Sequence, residues 1–557
     1  MYAAVAWALT EVLGFLIEAF PFLPDWTNTV VALLFVLGFP VSMFLAWMFD
    51  LGSDGKIRAT PGSVRGGFAI AVSALMLFLG TAGLFALIYP EGPPATAVAE
   101  VEPRMFAGNS IAVLPFQVSG SHEISQYLVD GLADELITLL TQIQGLHVAA
   151  RNSTFQFRGR NSAIDEIRQQ LRVLTLVDGS IQKVGDSFRL TAQLIDTDTG
   201  YQIWAATFDR NEDDLYSLPA GIARAVVERL GLSRSAIVPA GDVNPEAHRL
   251  YLKGDYLLRE GQEEADLREA LRLFEAALTI EPGYTPALVG SAQTWITLSD
   301  QAIHPVDDGY GRARVIAERA VSIDSNMAQA HWVLGWIALY HDWDWPKAER
   351  YLRDALLLQP GDAKIIGANA ALEQVQGRLE RAIDLARQFT LRDPLRASAS
   401  GNLAYFAWVA GAMDIARAAA LRTLELDPQY PGAHLMLAQF SLEQGDHITA
   451  REEIDREAHP LLKKFGEALL AHEQEDDAAE LAAIAELEKS FSQAGAYQIA
   501  ELYAHRDDAD SAFEWLDRAY SVRDPGLVQL KVDPLMENIR SDSRYSTMLK
   551  RLNMASP

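Results

Sequence analysis

The sequence predicts a multidomain protein with three transmembrane helices, a small mixed α/β domain and then an all-α solenoid of paired helices. Three observations predict this fold class. Long apolar runs fill most of the first 90 residues, and a stretch with strand and helix patterns follows them. From residue 244 onward, residues of the same type return at a fixed interval. A length of 557 residues is also too great for one hydrophobic core.

Composition narrows the range of functions. The formal net charge is −27, which argues against general nucleic-acid binding, because such proteins replace counterions with clustered Lys and Arg. No nucleic-acid partner is therefore expected. The sequence has no cysteine, which excludes disulfides, thiolate metal sites, iron–sulfur clusters and cysteine nucleophiles.

Residues 1–90 are predicted to be a membrane anchor. A helix that spans a bilayer needs about 20 apolar residues, and three runs reach that length: 2–20, 28–49 and 67–89. The loop between the second and third runs holds three basic residues, which are Lys56, Arg58 and Arg65. Because basic loops stay on the cytoplasmic side, the predicted location is a bacterial inner membrane, with the N-terminus cytoplasmic and the C-terminal domains periplasmic.

An acidic residue, Glu11, lies near the middle of the first apolar run. A charge at that depth is costly and often functional. Two interpretations stay open: a polar contact within the helix bundle or with a membrane partner, and a protonated or water-exposed side chain without a role. The chain also begins inside this run, which leaves open whether an upstream N-terminal domain has been lost.

Residues 91–108 are rich in Pro, Ala and Glu and are predicted to be a linker. Residues 109–232 are predicted to be the α/β domain. We expect a strand at 110–116, a strand and a turn at 146–159, three later strands, and helices at 122–145, 162–171 and roughly 213–230. The clearest strand alternates apolar and polar residues, with one face formed by Phe188, Leu190, Ala192 and Leu194.

Four segments of this domain resemble the TolB amino-terminal-like domain. They are SIAVLPF, the helix with DGLADELI, ARNSTFQFRG, and VDGSIQKVGDSFRLTAQLIDTDTGYQIWAATFDR. The resemblance implies a bacterial envelope protein, in which such a domain links membrane segments to tetratricopeptide arrays. TolB continues into a β-propeller and this chain does not, so the partners of TolB are not carried over.

One polar cluster in this domain is a candidate anion site. Arg151, Asn152 and Ser153 follow a predicted strand, and side chains of these types bind carboxylates or phosphates. The alternative is a structural turn, since Asn and Ser commonly build turns. The motif Asp130-Gly131 is interpreted as structural.

Residues 233–243 are predicted to be a second linker, and 244–460 to be tetratricopeptide (TPR) repeats. Gly377, Gly411 and Gly445 are 34 residues apart, and Ala382, Ala416 and Ala450 keep the same interval. A 34-residue period is typical of this repeat, in which each unit is a pair of helices and neighbouring pairs stack. Degenerate repeats and a C-terminal capping helix are expected over 461–557.

The groove of such a solenoid predicts a binding function. Aromatic residues are favoured anchors in recognition sites, and the predicted partner-binding residues are Trp332, Trp336, Tyr340, Tyr405 and Trp408. Ordinary packing between repeats is the alternative. No phosphate-binding loop, HExxH motif or nucleophile elbow occurs, so no catalytic residue, cofactor or metal site is predicted.

We therefore expect a non-catalytic scaffold or adaptor, anchored in the inner membrane, that binds a protein or peptide partner through its TPR groove. Two alternatives belong to another class. Proteins with similar membrane and repeat parts carry a nucleotide-cyclase domain or a winged-helix DNA-binding domain, and such an output domain is absent from this chain. The sequence leaves the partner, the pathway and the oligomeric state undetermined.

Overall fold

The computed structural model describes residues 49–51, 57–59, 109–120, 124–160, 162–232, 243–261 and 263–554. The chain divides into two compact units, Met1–Glu102 and Pro103–Pro557. The described residues of the first unit form two short antiparallel strands, β1 (Phe49–Leu51) and β2 (Ile57–Ala59). The second unit contains an α/β domain and a helical solenoid.

The predicted fold class, with three transmembrane helices, is wrong. Among the described residues, no helix is both long and apolar enough to cross a membrane. The physical reason is their amphipathic character: the 18-residue helix Val306–Ile323, for example, begins with Asp307 and Asp308. The runs 2–20, 28–49 and 67–89, with Glu11, lie outside the described residues except for Phe49.

The α/β domain alternates short strands and helices. Its elements are β3 (Ser110–Val113), β4 (Gln117–Val118), α1 (Gln126–Thr141), β5 (His147–Val148), α2 (Arg151–Thr154), a 3-10 turn (Phe155–Phe157), α3 (Ile164–Leu171), β6 (Thr175–Val184), β7 (Ser187–Asp196), β8 (Gln202–Arg210), a second 3-10 turn (Glu212–Ser217) and α4 (Leu218–Arg229).

Its sheet is mixed, and helices pack on both of its faces. The strand order is β5-β3-β6-β7-β8, with β4 paired to β6. Strand β3 runs parallel to β5 and β6, whereas β6, β7 and β8 are successive antiparallel neighbours. Helices α1 and α4 pack on one face of the sheet and α3 packs on the other. The predicted alternation along β7 is confirmed, because Phe188, Leu190, Ala192 and Leu194 are all buried.

The solenoid consists of eight helix pairs within the described residues, each pair joined by a short turn. They are α5 (Pro245–Glu260) with α6 (Glu264–Ile280), α7 (Thr285–Asp300) with α8 (Val306–Ile323), α9 (Ala328–Ile337) with α10 (Trp345–Leu358), α11 (Ala363–Val375) with α12 (Leu379–Arg392), α13 (Ala397–Val409) with α14 (Met413–Leu426), α15 (Ala433–Leu442) with α16 (His447–Arg456), α17 (Pro460–Glu473) with α18 (Asp477–Phe491), and α19 (Ala496–His505) with α20 (Ala509–Val522).

The residues that recur in the sequence have distinct physical roles. The alanines are fully buried where the two helices of a pair approach, which leaves no room for a larger side chain. Gly377, Gly411 and Gly445 lie in the turn between the helices with φ of 80°, 72° and 73°, a region that favours glycine. The predicted TPR architecture is therefore confirmed. First helices of most consecutive pairs contact one another, and we call the surface that the first helices form the groove.

The chain after α20 turns back onto earlier pairs. This C-terminal segment, residues 525–554, contains two 3-10 turns (Pro525–Gln529 and Pro534–Ile539) and α21 (Ser543–Arg551). The indole Nε1 of Trp345, in the third pair, donates a hydrogen bond to the carbonyl of Leu552 at 2.8 Å. Gln374, in the fourth pair, bonds to Gln529 at 2.6 Å. The segment therefore caps the last pair and also joins it to the third and fourth.

The α/β domain is held against the solenoid by shared cores. Leu252 of α5 belongs to the apolar core between α1, α4 and the sheet. It lies so close to Gly131 that an added Cβ there would meet it at 2.8 Å, so a larger residue at 131 requires the Leu252 side chain to shift. On the other face of the sheet, Leu395 from the loop before α13 completes the core around α3. The domain thus bridges the first helix pair to the junction of the fourth and fifth.

The segment 146–159 was expected to be a strand and a turn, and this expectation is wrong for most of it. Only His147–Val148 is a strand, and α2 follows. The cause is a set of bonds to the solenoid: the Ser153 hydroxyl donates to Asp393 at 2.6 Å, and Arg151 pairs with Glu260 at 2.9 Å. The polar cluster of the sequence therefore binds carboxylates of this same chain.

Candidate functional site

Three of the predicted partner-binding residues form one aromatic row. Trp332 and Trp336 lie on α9, and Tyr340 lies in the π-helical turn that follows (Ala338–Asp342). The ring centroids of Trp332 and Trp336 are 5.6 Å apart, and those of Trp336 and Tyr340 are 4.4 Å apart. All three are half-buried and pack against the core that the C-terminal segment shares with the middle repeats. Burial raises the pKa of Tyr340 to about 12.

The other two predicted residues, Tyr405 and Trp408, lie on α13 and line a pocket in the groove. This pocket has a volume of about 280 Å³ and lies between the first helices α13, α15, α17 and α19. Trp408 is 8% exposed, and its Nε1 donates to Glu443 at 3.3 Å. Trp332, Trp336 and Tyr340 are not among the lining residues. The structure thus brings two of the five predicted residues together at one cavity.

The pocket combines aromatic walls with a few polar groups. Tyr430 and Phe465 join Tyr405 and Trp408 in the wall. The polar side chains that line it are Asn402, Gln439, Gln498 and Glu501. Small-molecule pockets commonly measure about 300–1,000 Å³, so a cavity of this size suits one or two side chains of a bound segment rather than a large cofactor. No group of three or more His, Asp or Glu residues suited to a metal ion occurs in the described part of the chain.

A pair of carboxyl groups lies at one side of the pocket. Glu501 lies beside Asp533 of the C-terminal segment, whose negative charge acts on it. Asp533 is 1% exposed, and its other contacts are the Tyr497 hydroxyl at 2.8 Å and the Leu535 amide at 2.9 Å. Burial, then the neighbouring charge of Asp533, raises the pKa of Glu501 well above its ordinary value.

Sequence reasoning missed Glu501. A signal was present, because Glu501 is the only charged residue in AYQIAELYA, residues 496–504, where the side chains of Ala500 and Leu502 are buried. An acid inside such an apolar stretch of a first helix indicates a polar position on the groove. Its partner Asp533 carried no signal, since it lies 32 residues further along the chain (533 − 501) in a segment without a repeat pattern.

Comparison with known proteins gives partial matches. Residues 107–223 match the family model for the second domain of HilA/YgeH-like transcriptional regulators. The predicted TolB resemblance of this domain is not supported, because the model that matches describes a different family.

One curated relative is a putative adenylate cyclase 3 from Rhizobium meliloti. It is 30% identical over 249 residues, which is 43% of this chain and 42% of the relative. The match thus spans less than half of the relative's length.

Solved structures match part of this chain. PilF of Pseudomonas aeruginosa is 19% identical and aligns over 36% of this chain and 91% of its own, with a TM-score of 0.30. TTC0263, a TPR protein of Thermus thermophilus, is 19% identical and aligns over 37% and 98%, with a TM-score of 0.29.

The carboxyl pair predicts how stability depends on pH. The pKa of Glu501 is higher in the folded protein than its ordinary value of 4.5. At a pH between the ordinary and the folded pKa, the folded state therefore binds more protons than the unfolded state. The contribution of Glu501 to stability therefore falls as pH rises from 4.5 through the folded pKa, and it levels off above that pKa. Glu501→Gln removes this penalty. We expect the variant to have the higher Tm at neutral pH, with the difference closing near pH 4.5.

The measurement is Tm against pH by circular dichroism for both chains. Glu514→Gln, at an exposed position on α20, is the control and should follow the wild-type curve. A Glu501→Gln variant that is less stable than the wild type at neutral pH would contradict this assignment.

Proposed function

We propose that this protein is a non-catalytic scaffold that holds an extended segment of a partner protein in its groove. The observation that carries the proposal is the aromatic-walled pocket between four first helices, α13, α15, α17 and α19. First helices line the concave surface of helical-repeat proteins, and concave surfaces of this kind bind extended ligands. The pocket holds a side chain of the partner, and Tyr405 and Trp408 supply rigid aromatic contact area.

The α/β domain and the C-terminal segment have a supporting role in this proposal. Each bridges distant parts of the solenoid, and a bridged solenoid loses less conformational freedom when a ligand orders it. A pre-formed groove therefore binds a flexible segment at lower entropic cost. The predicted periplasmic location stays a prediction, and the proposal does not depend on it.

Selection of random peptides displayed on phage against the full chain tests this function. We expect enrichment of peptides that share a sequence pattern. Gln439→Trp places a large ring in the pocket without removing a core residue, and it should weaken the binding of enriched peptides by at least about tenfold. This change is preferable to Trp408→Ala, because Trp408 is buried and its loss also destabilises the fold.

Gln301→Trp is the matched control, since it makes the same exchange at an exposed position outside the pocket. It should bind the enriched peptides like the wild type. Failure to enrich any peptide family, or equal binding by Gln439→Trp, would overturn the proposal.

A second candidate function is the regulatory part of a signalling protein. Two similarities favour it: the α/β domain matches a family model of transcriptional regulators, and the curated relative is a putative adenylate cyclase. In this case partner binding in the groove would control an output activity. An assay of cyclic nucleotide synthesis by the purified chain tests the enzyme form, and a DNA-binding assay tests the regulator form.

A further inference from the structure

We propose that the pocket receives a basic side chain, lysine or arginine, from the partner segment, with the Glu501 carboxylate as its ion-pair partner and the Tyr405 and Trp408 rings as walls. This inference rests on the proposed function and adds the chemistry of the occupant.

The first argument is charge. Glu501 and Asp533 lie side by side, and the charged groups that act on Glu501 are the two acids Asp533 and Asp524. Within the described residues, no ion pair joins Glu501 or Asp533 to a basic side chain, and the charges that act on Glu501 are all negative. The pocket residues of α15 and α17 are uncharged. A cation from outside the chain is the missing partner.

The second argument is the aromatic wall. Tyr405 and Trp408 lie 5.9 Å apart between ring centroids and line the same cavity as the Glu501 side chain. Lysine and arginine side chains are attracted to the faces of such rings, and tryptophan is the strongest of these partners. The aliphatic part of a basic side chain also suits the apolar lining residues Leu435 and Leu462. An uncharged apolar side chain would fill the cavity and leave the carboxyl without a counter-ion.

The third argument is the raised pKa of Glu501 in the free protein. A cation next to a carboxyl group favours its ionised form. Binding of a basic side chain therefore lowers the raised pKa of Glu501 and releases up to one proton to the buffer. By linkage, the affinity for a basic peptide rises with pH up to the pKa of Glu501 in the free protein and is level above it. An uncharged ligand gives no such dependence.

The probe is a peptide from the phage selection described above, synthesised with its basic residue and with citrulline or norleucine in its place. Citrulline keeps the shape of arginine without the charge, and norleucine keeps the chain of lysine. We expect the wild-type protein to bind the basic peptide about tenfold more tightly than the neutral one. Glu501→Gln should bind the two peptides equally, and Glu514→Gln should behave like the wild type.

Calorimetry in phosphate and in Tris buffer then measures the protons released on binding. We expect release with the wild type and the basic peptide, and none with Glu501→Gln or with the neutral peptide. Enriched peptides that need no basic residue, or a charge preference that survives in Glu501→Gln, would overturn this inference and leave the proposed function standing. Absence of any enriched peptide would instead overturn the proposed function.

Discussion

Asp393→Ala is expected to lower the free energy of unfolding by about 3 kcal/mol, because it breaks the polar contact between the α/β domain and the solenoid. The Asp393 carboxyl is 1% exposed. It accepts the Ser153 hydroxyl at 2.6 Å and the Asn152 amide at 3.4 Å, and Arg396 lies 3.7 Å away. Alanine leaves the buried Ser153 hydroxyl without its acceptor, so that its desolvation is no longer offset, and it also removes the contacts to Asn152 and Arg396.

A second consequence concerns α2. The Ala150 amide donates to the Arg392 carbonyl at 2.7 Å, and the Ser153 hydroxyl also accepts the Leu395 amide at 3.0 Å. The carboxyl of Asp393 holds that hydroxyl in place. Its removal should therefore loosen the contact on both sides, so that hydrogen exchange becomes faster at 150–156 and at 392–396 together.

Denaturant titration and hydrogen exchange measure these two effects. Asp384→Ala is the matched control, because Asp384 is on the preceding helix, is 70% exposed and pairs only loosely with Arg387. It should change stability by less than about 0.5 kcal/mol. The variant Ser153→Ala, combined with Asp393→Ala in a double-mutant cycle, should show strong coupling. Additive effects of the two changes would show that the contact does not stabilise the chain.

The repeat units were predictable because their determinants are local. A buried alanine and a glycine with positive φ act within one helix pair, so their interval in the sequence predicts the structure. The positions of Tyr405 and Trp408 on a first helix follow from the same register. The strand β7 was predictable for a similar reason, since alternation along ten residues decides which face is buried.

The errors arise where the partners are distant in sequence. The short helix α2 was missed because the acceptor of Ser153 lies 240 residues away. Glu501 was missed because its role depends on Asp533. The segment that carries Asp533 is held in place by hydrogen bonds to Trp345 and Gln374. Long-range closure of this kind leaves no periodic pattern. The fold class with three transmembrane helices fails on a different ground, because no helix of the described residues is both long and apolar enough to cross a membrane.

Tyr545→Ala is expected to cost about 4 kcal/mol of unfolding free energy, because it opens a large cavity in the C-terminal segment. Tyr545 lies on α21 and is 1% exposed. Its hydroxyl donates to the Leu530 carbonyl at 2.7 Å, which links α21 to the first 3-10 turn of the segment. Tyr545→Phe keeps the ring and loses only this bond, so it should cost about 1 kcal/mol.

Denaturant titration compares the three chains, and Tyr201→Ala is the matched control, since Tyr201 is 77% exposed in the loop before β8. The control should be neutral within about 0.5 kcal/mol. Hydrogen exchange gives the location of the change. The C-terminal segment also contacts residues 338–345, because the Leu552 carbonyl accepts a hydrogen bond from the Trp345 indole and the Asn553 amide donates to the Trp343 carbonyl. Tyr545→Ala should therefore also speed hydrogen exchange at 338–345. Faster exchange confined to 525–554 would contradict closure of the solenoid by this segment.

The same variant connects closure with the pocket. Asp533 contributes one half of the carboxyl pair, and it belongs to the segment that Tyr545 anchors. When the segment loosens, Asp533 moves away from Glu501 and water reaches the pair, so both causes of the raised Glu501 pKa weaken. Tyr545→Ala should therefore flatten the pH dependence of stability that the wild type shows, whereas Tyr545→Phe should retain it. An unchanged pH dependence in Tyr545→Ala would mean that the segment holds Asp533 without this anchor.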